Sequence, residues 1–301
     1  MPNPAPLSGC IPILCTPFRE DGALDLPSLA REIEYVIGEG ASGVAALAIA
    51  SEGYKLTEAE RDTVAEAVVA AVAGRVPVVL SADGAGTEPA LDRARRAVAR
   101  GADALMVLPP SCVKPGAADL VDYYAAIAAA VDVPLIVQDA PQLTGVAMTP
   151  SLWADLANRT PTLRYVKVEG TPQGEVISAA VAAGAGQLAV FCGWGGLGIL
   201  DALERDAVGS MPAPNFTRLF ADVQAHHAQG DHASAEAAFA AKLPFLLWTM
   251  QSVDHSVAAA KEEMRRRGIF ASAHQRRPAA RLDPIARGQL ARFLDRRLHA
   301  P

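Results

Sequence analysis

Ala104-Leu105-Met106-Val107-Leu108, the alanine-rich stretch Ala117 to Ala130, and Leu135-Ile136-Val137-Gln138-Asp139 together read as strand, helix and strand. The two apolar runs are too short for helices, and the segment between them is too long and too regular for a hairpin, so the strands are expected to be parallel with a helical crossover. The same alternation runs outward in both directions. Strands are predicted at Cys10–Thr16, Val44–Ala50, Val76–Ser81, Ala104–Leu108, Leu135–Asp139, Tyr165–Val168, Leu188–Cys192 and Val208–Met211. Most are almost wholly apolar, as strands covered on both faces should be. Helices are predicted at Leu26–Glu39, Glu58–Ala73, Glu88–Arg100 and Ala117–Ala130, with Thr57, Thr87 or Thr149 before Pro150 as entry caps. Eight such units fit an α/β fold of the (β/α)₈ TIM barrel type better than an open sheet.

Beyond the eighth strand, Phe216–Gln229, His232–Met250, Val257–Arg267 and Pro284–Leu298 read as one barrel helix followed by about three additional helices. The expected organisation is a barrel over residues 1–225 and a C-terminal helical appendage over 226–301, packed on the barrel.

The 301 residues are 51% hydrophobic and 20% charged, with a net charge of -6, as in a compact chain without a phosphate-neutralising surface. No nucleic-acid partner is expected. No apolar run reaches the roughly 18 residues of a membrane span, and Met1 to Ser8 has no signal-peptide character, so no membrane partner and a cytoplasmic location are expected. Cys10, Cys15, Cys112 and Cys192 lack C-x-x-C spacing and suggest neither zinc nor disulfides. The fingerprints G-x-G-x-x-G and G-x-x-x-x-G-K-[ST] are missing.

In a barrel of this kind, chemistry sits where strands end. Tyr165-Val166-Lys167-Val168-Glu169 places a lysine inside an apolar strand near that end, although the chain has only five lysines among its 27 basic residues. Desolvation there disfavours the ammonium form and supplies the neutral amine that carbonyl attack requires. The plainer alternatives are that Lys167 reaches the rim or pairs with Glu169. Carboxylates stand at four strand ends, Glu52, Asp83, Asp139 and Glu169, each a candidate for proton transfer or for support. All six histidines follow the eighth strand, which speaks against a histidine-bound catalytic metal, and the pair His226-His227 reads as an exposed helix face. Gly193-Trp194-Gly195-Gly196 after strand seven, and Met211 closing strand eight, are positions where a ligand can approach, although a tight turn accounts equally for the glycines.

In order and spacing, several landmarks resemble the dihydrodipicolinate synthase and N-acetylneuraminate lyase family. They are Ile13-Leu14-Cys15-Thr16-Pro17-Phe18 with Asp21-Gly22 and Asp25; Ser51-Glu52 with Leu56-Thr57 and Glu60-Arg61; Gly74-Arg75-Val76-Pro77-Val78; Gly101-Ala102-Asp103-Ala104 with Pro109-Pro110; Pro134-Leu135-Ile136 with Pro141 and Thr144-Gly145; and Lys167. The resemblance implies a barrel with three C-terminal helices, commonly tetrameric and otherwise dimeric, in which Lys167 forms a covalent imine with a small-molecule 2-keto acid. Neither a metal nor a separate cofactor is implied.

Departures narrow the reading. Ala48-Ile49-Ala50-Ser51-Glu52 stands where the family usually has Gly-Thr-Thr-Gly-Glu, which leaves backbone amides near Ala50 and Ser51 to hold a carboxylate. Gln138 replaces the family's proton-relaying tyrosine, Leu143 the arginine for the second substrate, and Ser111 and Cys112 the paired aromatics, whose loss weakens one family interface. Val137-Gln138-Asp139-Ala140-Pro141 and Ser51-Glu52 are similar to the 2-keto-3-deoxy-L-arabonate dehydratase branch. The resemblance therefore implies dehydration of a 2-keto-3-deoxy sugar acid, with protons moved by Glu52, Ser51, a water held by Gln138 and Asp139, or the substrate's own carboxylate. A retro-aldol lyase releasing pyruvate is the nearest alternative, and a barrel that only binds a keto acid is another.

Overall fold

The computed structural model describes residues 6–299. Eight parallel strands alternate with helices: β1 (Gly9–Cys10), α1 (Leu26–Gly38), β2 (Val44–Ala46), α2 (Glu58–Val72), β3 (Val78–Ser81), α3 (Thr87–Ala99), β4 (Ala104–Val107), α4 (Ala117–Ala129) and β5 (Leu135–Asp139). There follow α5 (Pro141–Thr144), α6 (Pro150–Arg159), β6 (Leu163–Val168), α7 (Gln173–Gly184), β7 (Ala189–Cys192), α8 (Ile199–Leu203), β8 (Gly209–Ser210) and α9 (Thr217–Ala228). Three more helices end the chain: α10 (His232–Thr249), α11 (Val253–Arg266) and α12 (Pro284–His299).

From β2 to β8 each strand pairs with its sequence neighbours, and β1 pairs with β8. A parallel bridge from Ile13 to Ala45 joins the first strand's continuation to β2, closing the ring as a (β/α)₈ barrel. The strands at the two ends of the ladder are shorter than their apolar runs suggest, for local reasons. Pro12 lacks an amide, so the chain after Cys10 is held by isolated bonds, Ile13 N–H to the Pro212 carbonyl and Leu14 N–H to the Ala45 carbonyl. Strand β2 stops at Ala46 because Leu47 turns left-handed, with φ of 63°. Thr57 caps α2 in a reciprocal box with Glu60, and Thr149 caps α6 ahead of Pro150. At α3 the expected cap, Thr87, is already helical and the capping position is Gly86, which has no side chain to offer. The expected division between residues 225 and 226 falls within α9, and residues 1–5 and 300–301 of the two expected regions lie outside the described residues.

Side chains alternate along each strand with period two, and this decides the placement of every polar group at the site. Along β6, Val166 and Val168 pack outward against the helices, whereas Tyr165 faces the barrel interior with Ile13, Ala45, Val79, Met106, Ile136, Phe191 and Met211. Lys167 and Glu169 follow Tyr165 on the inward face. Along β5, Ile136 and Gln138 point in while Val137 and Asp139 point out. The interior floor is apolar, and its tyrosine is already engaged: the Leu7 amide donates to the Tyr165 hydroxyl at 2.8 Å. Among the described residues no helix is long and apolar enough to cross a membrane.

Candidate active site

Register places Gln138 beside Lys167 across the β5–β6 ladder. Lys167 Nζ lies 3.0 Å from Glu169 Oε1, and Gln138 Nε2 donates to that same oxygen at 2.7 Å. All three residues are at least nine-tenths buried. They line a cavity of about 310 Å³ whose opposite wall is built by Ala48, Ile49 and Ala50 after β2, Met211 after β8, and Trp194 after β7. Larger clefts lie among the C-terminal helices, but this smaller one holds the inward-facing amine at the strand ends. Among the described residues Gln138 Oε1 has no partner, and it remains available to a ligand hydroxyl.

The turn from Ala48 to Gly53 supplies donors without hydroxyls. Its Ser51 and Glu52 amides bond back to the Ala48 and Ile49 carbonyls, and the Gly53 amide to that of Ala48. Among the described residues no backbone carbonyl accepts from the Ile49 or Ala50 amides, and both residues line the cavity. Two adjacent amides without a backbone acceptor suit a carboxylate.

The Dihydrodipicolinate synthetase family matches residues 6–297. The chain belongs to this family. It is accordingly a lyase of the lysine-imine class, and the family's Schiff-base chemistry uses no external cofactor. L-2-keto-3-deoxyarabonate dehydratase of Azospirillum brasilense is 30% identical over 95% of this chain and 94% of its own. A 4-hydroxy-tetrahydrodipicolinate synthase of Stenotrophomonas maltophilia is 33% identical over 79% of this chain and 80% of its own. Among solved structures, dihydrodipicolinate synthase from Rhodopseudomonas palustris superposes with a TM-score of 0.89 at 28% identity, covering 96% of this chain and 97% of that one. YagE, a prophage protein of the same family from E. coli K12 solved with pyruvate, superposes at 0.88 and 25% identity, covering 97% and 99%.

Of the residues singled out from sequence, Lys167, Gln138, Glu169, Ala50 and Met211 line the cavity of this family member, and Glu52, Ser51, Asp139, Gly193 and Asp83 do not. Glu52 is the largest correction. Its left-handed φ of 57° turns the side chain away to a buried ion cluster, where Oε1 accepts from Lys261 Nζ and Oε2 from Lys55 Nζ at 2.9 Å and the Arg276 amide at 3.1 Å. Ser51 is buried beneath the turn, its carbonyl accepting from Thr16 Oγ1 at 2.6 Å. Asp139 sits on the outward face of β5, where burial pushes its carboxyl up to about 7 and the Met148 amide pulls the other way. A water shared by Gln138 and Asp139 would have to bridge opposite faces of one strand. Gly193 meets Glu169 rather than the cavity: a Cβ there would overlap Glu169 Cγ and stand 2.8 Å from the Val168 carbonyl. Asp83, the remaining strand-end carboxylate, accepts from the Leu108 amide at 2.7 Å and Ser81 Oγ at 3.0 Å, a bracing role between β3 and β4.

Of two further parts of the site, one is evident from the strand ends and one is not. Glu169 has a signal in the sequence, since it stands two residues after Lys167 and therefore on the same face. Gln251, Ser252, Val253 and Ser256 carry none: the α10–α11 junction folds back over the mouth and completes the wall. Gly195, left-handed at φ of 63°, permits this, because a Cβ there would overlap Met250 Sδ.

Proposed function

We propose that this protein dehydrates a 2-keto-3-deoxy sugar acid through an imine on Lys167, with Glu169 carrying the proton. The observation that carries the reading is the buried cluster of Lys167, Glu169 and Gln138 at the cavity floor. Lys167 passes a proton to Glu169 and attacks C2 of the keto acid; Glu169 returns that proton to the carbinolamine hydroxyl, which leaves as water to give the protonated imine and a free Glu169 carboxylate. The protonated imine draws the C3–H electron pair into an enamine while a Glu169 oxygen takes the proton. The enamine then expels the C4 hydroxyl, which departs as water with that proton, and hydrolysis returns the free lysine. The Ile49 and Ala50 amides hold the C1 carboxylate, and Gln138 keeps Glu169 aimed at C3.

The far wall supports a neutral, hydroxylated tail. Among the described residues, apart from the Lys167–Glu169 pair, the cavity is lined by no charged side chain; Gln142, Gln251, Ser252 and Ser256 offer amide and hydroxyl groups, and Leu143 is apolar. A second carboxylate on the substrate would be desolvated there without a counter-charge. The name of the Azospirillum relative points the same way. A cytoplasmic location and assembly as a tetramer, or otherwise a dimer, belong to the same reading.

The test is to incubate the protein with pyruvate and a panel of 2-keto-3-deoxy pentonates and hexonates, add borohydride, and locate adducts by peptide mass spectrometry. We expect an adduct on Lys167, absent in Lys167→Ala, and turnover to a product that retains every carbon and lacks one water. Pyruvate plus an aldehyde as products would replace dehydration by retro-aldol cleavage. A folded protein giving no adduct with any keto acid would leave a binding protein.

A further inference from the structure

Two of the histidines, His227 and His232, converge with Glu204 at the other end of the barrel. Glu204 caps α8, His227 lies in the last turn of α9, and His232 opens α10. His232 Nδ1 is 3.2 Å from Glu204 Oε1, and His227 Nδ1 is 3.9 Å from the same oxygen. The two rings meet edge to face at 5.0 Å, and one ligand atom from each residue lies within 4.8 Å of both others. The adjacent His226 turns instead toward Asp231, at 3.7 Å, so the pair does not act as one exposed face.

We infer that Glu204, His227 and His232 form a surface site for a divalent cation of the zinc class. Zinc binds imidazole nitrogen and carboxylate oxygen at about 2.0–2.2 Å, so tetrahedral ligand atoms stand roughly 3.3–3.4 Å apart. The His232–Glu204 spacing already matches. The His227 distance exceeds it by about half an ångström, within reach of a small rotation of the exposed Glu204 side chain. Two neutral imidazoles and one carboxylate suit zinc over calcium or magnesium, which prefer all-oxygen shells, and water completes the coordination. Because α8 ends just before β8 begins, the site faces the N-terminal ends of the strands, away from Lys167 and on the face that serves stability in this fold. Its ligands come from three successive helices, so the ion acts as a staple holding α8 and α10 to α9.

The test is zinc binding to the tag-free full chain by titration calorimetry, with thermal unfolding measured with and without zinc. Wild type is expected to take up one equivalent of zinc saturably and to melt at a higher temperature with it. His232→Ala, His227→Ala and Glu204→Gln should each weaken uptake at least tenfold and abolish the shift, with circular dichroism unchanged because these side chains lie at the surface. Cys112→Ser, which removes the exposed thiol, should bind as wild type does. No saturable uptake, uptake unchanged in the histidine variants, or uptake lost only in Cys112→Ser would overturn the assignment.

Discussion

Gln138 Nε2 and Glu169 Oε1 stand 2.7 Å apart across the β5–β6 ladder, on the oxygen that also faces Lys167 Nζ. The amide that replaces the family's usual tyrosine therefore orients a carboxylate rather than relaying a proton itself. In the proposed mechanism the acid–base work passes from the residue beside the lysine to Glu169, two steps after Lys167 on the same strand.

Glu169→Gln keeps the size and the hydrogen-bonding capacity of the side chain but removes its basicity. Turnover of the best 2-keto-3-deoxy acid should fall by roughly 10²–10⁴-fold, the usual contribution of a positioned base. Borohydride should still trap pyruvate on Lys167. Steady-state kinetics and adduct mass together check this; wild-type turnover in the variant would remove Glu169 from the mechanism.

Gly193→Ala tests the packing behind that carboxylate. The residue's φ of -95° suits any amino acid, so the constraint is space: the new methyl overlaps Glu169 Cγ. Overpacking of this kind costs about 1–3 kcal/mol. The expected result is a lower melting temperature and a kcat reduced more than KM is raised, since Glu169 shifts while the carboxylate-binding amides do not. A variant that loses stability but keeps its kcat would separate Gly193 from catalysis.

The fold and the placement of Lys167 in the cavity are legible in sequence because both depend on local pattern. Short apolar runs separated by capped, alanine-rich segments leave few topologies, and a lysine among Tyr165, Val166 and Val168 has few bland explanations. The pairing with Glu169, expected from sequence as the plainer alternative, is present at 3.0 Å, and the proposed mechanism uses it. Glu52 misleads because its direction depends on a left-handed turn and on Lys261, 209 residues away. Asp139 misleads for a simpler reason, since one step along a strand changes its face. The α10–α11 wall is invisible in sequence because it arises from tertiary return, through a gap that Gly195 leaves for Met250.

Lys261→Met probes the ion cluster that takes up Glu52. Lys261 is fully buried, donates to Glu52 and to the His274 carbonyl at 2.9 Å, and lies over the Phe18 ring at 4.4 Å. Removing it leaves Glu52 with Lys55 and the Arg276 amide, both on Oε2, and strips Glu32 of its nearby positive charge; breaking a buried pair from one side costs about 3–5 kcal/mol. Urea unfolding should show a loss of that size with an unchanged m-value. A loss below about 1 kcal/mol would mean that the cluster contributes little to stability.

Glu32 gives the protein a pH dependence of definite sign. Burial pushes its carboxyl up to about 8, against the opposing pull of the Cys15 amide, which it accepts at 3.0 Å, and of Lys261. The folded protein therefore holds a proton on Glu32 that the unfolded chain releases near 4.5. The stabilisation is complete below that value and is lost as pH rises toward 8. Asp139, raised to about 7, acts in the same direction, so Glu32 is isolated only by comparison with a variant. Glu32→Gln stays neutral throughout. Its unfolding free energy should fall less steeply than wild type between pH 5 and 8, with a divergence on the order of a few kcal/mol. Parallel stability curves for the two proteins across that range would show that Glu32 is ionised in the native state and would remove this source of the slope.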